Sequence, residues 1–129
     1  MRDGALRLVL GDQLTPGVAA LRDIDPARDV VLLAEVDGEA TYVRHHKKKI
    51  AFIFAAMRAF ADELRAAGLN VRQVRITDPA NTPSIAGEVA RALAEEGLSR
   101  VVTTSCGEWR LDQEMRGWTA ALGAPVEIR

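Results

Sequence analysis

One cysteine in 129 residues excludes a disulfide scaffold, since Cys106 has no internal partner, and its solitude agrees with a reducing compartment. Long hydrophobic runs are missing as well. No stretch reaches the roughly 18 uninterrupted apolar residues of a membrane span, and Met1-Arg2-Asp3-Gly4-Ala5 leads directly into a strand-like segment without the apolar region of a signal peptide. The chain therefore reads as cytoplasmic, with no membrane partner. Charge of one sign is not in excess either: a formal net charge of −1 argues against a domain that wraps nucleic acid. What is present is 48% apolar and 27% charged residues, the balance of one soluble domain with a single core rather than of a collagen, a mucin-like stalk or a disordered tail.

The first apolar run, Leu6-Arg7-Leu8-Val9-Leu10, stops at Gly11-Asp12-Gln13-Leu14-Thr15-Pro16-Gly17, which reads as a strand feeding a loop. A weakly helical piece follows around Val18 to Arg22. The dense run Val30-Val31-Leu32-Leu33 predicts a strand covered on both faces. From Ala40 to Ala67 the period becomes helical, with Ile50, Phe54, Met57, Ala61 and Leu64 at intervals of four, three, four and three, widened by Ile53 and Phe60. Phe52 falls off this stripe. Gly68, Gly97 and Gly123 each stand where a helix would end in a left-handed residue, and each is followed by a strand-like run. Trp109 and Trp118, nine apart, fall a half-turn from one another on the last helix, so one is expected in the core and the other at the surface.

This alternation predicts an α/β fold with a five-stranded, parallel, Rossmann-like sheet and helices on both faces. Val74 and Ile76 alternate with Gln73 and Arg75, and Val126 and Ile128 flank Glu127, so the third and fifth strands read as edges. The order 3-2-1-4-5 follows, with its switch point between strands one and four. The chain stops directly after strand five, as if cut at a domain edge.

Ligands in such a sheet collect beyond the carboxyl ends of the strands at the switch point. Strand one delivers Gly11, Asp12, Gln13 and Leu14 there, and strand four delivers Thr104, Ser105, Cys106, Gly107 and Glu108. Glu35 ends strand two next door, and Tyr42 and His46 lie near the start of the long helix. No repeated-glycine fingerprint or Walker lysine is present, so a phosphate cradle is poorly supported. Carboxylates and amides suit an uncharged heterocycle or polyol better. The plain alternatives stay open: Asp12 capping a turn, Gln13 solvated, Glu35 an ordinary strand-end charge. His45 and His46 cannot share a helical face and have no nearby carboxylate or cysteine at ligand spacing, so no metal ligand is expected. The cationic run Arg44 to Lys49 leaves weak DNA contact open.

Three blocks, Leu6 to Leu14, Glu39 to Ile50 and Gly107-Glu108-Trp109-Arg110, together give a chain that resembles the N-terminal region of the deoxyribodipyrimidine photolyase-related proteins. These form the iron-sulfur-containing bacterial branch of the cryptochrome and photolyase superfamily. The resemblance covers essentially the whole chain and implies that residues 1–129 are an α/β antenna domain. It further implies a helical domain outside this chain, holding FAD, a four-iron cluster and the site for DNA carrying (6-4) photoproducts. The light harvester it implies here is 6,7-dimethyl-8-ribityllumazine, which lacks phosphate. Carried over by position, Gly11, Asp12, Gln13 and Leu14 wall the pocket, Glu35 accepts hydrogen bonds, Tyr42, His46 and Lys49 form the helix side, and Cys106 and Glu108 lie on the strand-four side. Thr104-Ser105-Cys106 stand where the family usually has an acidic residue and a proline.

No residue of this chain is expected to be catalytic, because an antenna passes energy and makes no bonds. Its partners would be the helical domain, DNA through that domain, and a second copy if a face normally covered is left open. Two other readings compete. One is an α/β docking or dimerisation module with an empty pocket. The other is a stand-alone enzyme using Cys106 as nucleophile on a nucleotide or thiol, for which the sequence places no base.

Overall fold

The computed structural model describes residues 4–10, 13–15, 17–35, 47–75, 85–105 and 109–129, with backbone alone at 47–51 and 109–112. The elements run β1 (Ala5–Leu8), a 3-10 turn (Ala19–Leu21), β2 (Val30–Ala34), α1 (Lys47–Ala66), β3 (Asn70–Val74), α2 (Ile85–Glu96), β4 (Arg100–Thr103), α3 (Trp109–Arg116), α4 (Trp118–Leu122) and β5 (Val126–Ile128). The strands form one parallel sheet in the order β3-β2-β1-β4-β5. This is the α/β fold and strand order that the sequence predicts.

Strand alternation divides the core in two. Leu6, Leu8 and Leu10 with Val30, Leu32 and Ala34 face α2, α3 and α4, meeting Ile85, Val89, Met115 and Trp118. Val9, Val31 and Leu33 face the other way, onto Met57, Phe60, Ala61 and Leu64 of α1, Val18 before the 3-10 turn and Leu21 within it. Every residue of β1 and β2 is buried, as double coverage requires, whereas β3 and β5 are partly exposed at the edges. Gly68, Gly97 and Gly123 have φ of 90°, 67° and 66°, the left-handed geometry expected of them.

Two features depart from or add to the sequence reading. The last helix is broken at Gly117 into α3 and α4, so Trp109 and Trp118 do not share a helix; Trp118 is buried in the core and the side chain of Trp109 is outside the described residues. Glycine is a poor helix former, which suits a break at this position. The other feature is one the sequence reading did not address: Arg7 lies buried in a central strand. On its face α1 packs toward β3, and the part over β1 and β4 is covered by the short 3-10 turn. Arg7 fills that space, donating through Nε to Asp29 Oδ2 at 3.0 Å and through Nη1 to the carbonyls of Ala20 and Arg22 at 3.2 and 3.0 Å. Asp29 is buried as well and accepts from the backbone N–H groups of Ala5 and Asp25, at 2.8 and 3.1 Å. The pair ties the β1–β2 connection to the sheet.

The 20 residues of α1 make about 30 Å of helix, while the 5 residues of β3 span about 17 Å. Gly68 joins the end of α1 directly to the start of β3, so the two are level at that end. α1 is therefore about two turns longer than the strand it leads into.

Candidate functional site

Gln13 is the residue that spans the switch point. Its backbone N–H donates to the Leu10 carbonyl at 2.9 Å, closing the turn after β1, and its side-chain Oε1 accepts from the Leu10 N–H at 3.3 Å. Its Nε2 reaches the Thr104 carbonyl at 3.4 Å, just past β4. The Thr104 hydroxyl in turn accepts from the Ala20 N–H at 2.8 Å. One amide thus links the ends of β1 and β4, the switch point where sheets of this kind bind ligands. Leu14, half-buried, packs against the apolar cluster that also takes Ile53 and Phe54 of α1.

Glu35 follows β2 immediately and continues its pairing, donating its backbone N–H to the Val74 carbonyl at 2.9 Å. Its carboxylate is 1% exposed and is gripped by both arms of Arg58, Nε to Oε2 at 2.8 Å and Nη2 to Oε1 at 2.7 Å. A planar two-point pair of this kind is among the stronger charge-assisted contacts. Hydrogen bonding to Glu35 pushes the Arg58 guanidinium above its ordinary pKa, against burial, which lowers it. Arg58 comes from α1 and meets Glu35 just past the end of β2.

Of the expected site residues, Gln13, Leu14 and Glu35 are found at the carboxyl end of the sheet, and the backbone of Lys49 lies in the first turn of α1. Gly11, Asp12, Tyr42, His46, Cys106 and Glu108 lie outside the described residues. Sequence reasoning missed Arg58. It lies 23 positions from Glu35 on the flank of the apolar stripe, and only the packing of α1 on the sheet brings the two together. It also missed Glu88, a fully buried carboxylate in the first turn of α2, paired with Arg91 at 2.7 Å. Acidic residues favour a helix start, but that preference carries no signal for burial.

The groups around Gln13 and Glu35 include an amide, a carboxylate–guanidinium pair whose arginine is partly exposed, and apolar side chains. They can orient and enclose a flat, polar-edged molecule. Among the described residues, no cluster of three or more His, Cys, Asp or Glu could hold a metal, and no helix is long and apolar enough to cross a membrane. A separate groove of about 360 Å³, lined by Val30, Arg65, Asn70, Arg72 and Glu96 among others, lies at the amino ends of β2 and β3. That is the opposite end from where this fold binds ligands, and its Arg72 is already engaged by Glu95 and Glu96 at 2.8 and 3.0 Å.

Comparison with known proteins adds two findings. Residues 7–129 match the family model for deoxyribodipyrimidine photo-lyase-related protein. A protein of Agrobacterium fabrum named (6-4) photolyase is 53% identical over 124 residues, which are 96% of this chain and 24% of that protein. The chain thus spans about a quarter of the length of this relative.

Proposed function

Because the chain belongs to the deoxyribodipyrimidine photo-lyase-related family, we propose that it is the antenna domain of a light-driven DNA-repair flavoprotein, binding a ribityllumazine at the carboxyl end of its sheet. The observation that carries this reading is the composition of that end. Gln13 bridges the two strand ends, Glu35 is closed into a pair with Arg58, and Leu14, Ile53 and Phe54 supply apolar surface beside them. A neutral heterocycle with a carbonyl-bearing edge and a hydroxylated chain fits such a lining. The lumazine, when bound, supplies absorption of light whose energy passes to a flavin.

The protein's part is to bind, orient and exclude water. Gln13 would hold the ring at the switch point, the Glu35–Arg58 pair would fix its edge, and α1 would close one side. FAD, an iron-sulfur cluster and the DNA lesion site would belong to sequence beyond these residues, as the length of the relative supports. Gly11, Asp12, Tyr42, His46, Lys49, Cys106 and Glu108 remain proposed contacts on the same pocket.

The test is an absorption titration of the purified chain with 6,7-dimethyl-8-ribityllumazine, followed by mass analysis of what denaturation releases. A displaced band that saturates at one pigment per chain is expected. Gln13→Ala, which cuts the tie to Thr104, should weaken retention about tenfold, the worth of one hydrogen bond. A colourless protein would instead favour a docking module.

A further inference from the structure

Resting on the lumazine reading, we infer that Arg58, and not Glu35, is the residue of their pair that contacts the ligand, and that it selects for an acceptor edge such as a ring carbonyl. The reason is which partner can be reached. Glu35 is 1% exposed and Arg58 is 38% exposed. Both carboxylate oxygens are taken by the arginine fork, and Glu35 is engaged beyond this pair as well. Arg58 spends Nε and one hydrogen of Nη2 on Glu35, and no described residue accepts from its Nη1. A guanidinium carries donors only, so its open edge asks for an oxygen or an unprotonated ring nitrogen.

Position supports the same assignment. The fork is fixed at the end of β2, the sheet neighbour of β1, and Gln13 stands in the turn that follows β1. Glu35 is then a positioning residue: it neutralises the cation and holds its plane, which limits the rotamer freedom a long side chain would otherwise lose on binding. A lone strand-end carboxylate would favour a donor-rich ligand edge. The pair reverses that preference.

The experiment compares Glu35→Gln with the double variant Glu35→Gln, Arg58→Met, because neither leaves a buried charge without its partner. Lumazine affinity is measured by absorption titration, with thermal melts to establish that each variant is folded. Glu35→Gln keeps an acceptor for the guanidinium, so affinity should fall only a few-fold. Removing Arg58 in addition should cost a further ten- to hundred-fold, about the value of one charge-assisted hydrogen bond, and should shrink the displacement of the bound band from that of free pigment. Arg58→Lys, which keeps one charged donor, should recover part of both. Equal affinity in the single and double variants would overturn the inference in favour of Glu35 as the contact. Wild-type affinity in the double variant would overturn it in favour of a structural pair. Failure of the unaltered chain to bind the lumazine would instead overturn the proposed function and this inference with it.

Discussion

Buried charge is the most consequential feature at the scale of single residues. Arg7 and Asp29 stabilise the fold only as a pair, since removing one partner strands the other in the core. Arg7→Met should therefore destabilise the chain by about 3–5 kcal/mol, and combining it with Asp29→Asn should restore part of that loss, as urea unfolding would show. Burial pushes the Asp29 carboxyl up, but the N–H groups of Ala5 and Asp25 and the Arg7 guanidinium outweigh it and hold it below the usual range. Its folded value lies under its unfolded one, so the folded chain binds fewer protons between the two. The stability it contributes is whole above about pH 4 and is lost as pH falls through the folded value. Urea midpoints measured from about pH 6 downward should fall in acid, and Asp29→Asn should flatten that fall; equal slopes in both proteins would contradict the assignment. In sequence Arg7 sits within the strand-like run Leu6 to Leu10 with nothing local to mark it as buried. Its burial depends on the thin cover of the 3-10 turn, which no local pattern encodes.

Among elements, α1 and the glycine-stopped helices set the architecture. Met57 is buried on the stripe facing Val31 and Leu33, so Met57→Ala should cost about 2–5 kcal/mol. Phe52, 74% exposed on the same helix, should tolerate serine within about 0.5 kcal/mol. Thermal melts of the two variants check both. Gly97 needs its left-handed φ of 67°, and a Cβ there meets nothing within 4 Å, so Gly97→Ala should cost about 1–2 kcal/mol from backbone alone. Gly4 is a different case: a Cβ would fall 2.0 Å from the Arg28 carbonyl oxygen, so Gly4→Ala must displace the β1–β2 connection and should be the more damaging. The left-handed stops were legible because only glycine takes that conformation freely. The break at Gly117 was not, because one glycine inside a helical pattern does not say whether the helix bends, breaks or continues.

For the molecule as a whole, the proposed division of labour makes a direct prediction. Light-driven reversal of (6-4) lesions should be absent when the 129-residue chain is illuminated with damaged DNA and no flavoprotein, as chromatography of the digested DNA would measure. Restored thymines under those conditions would sink the antenna reading. By itself the sequence determined the parallel α/β sheet and its order, because periodicity, glycine stops and the polarity of edge strands are local properties. It also carried the family, through blocks spread along the chain. Tertiary structure alone decided that Glu35 is closed by Arg58, that Arg7 lies buried on Asp29, and that Gln13 bridges to Thr104. Each of these joins residues at least 22 positions apart, and their meeting depends on how the elements pack on the sheet.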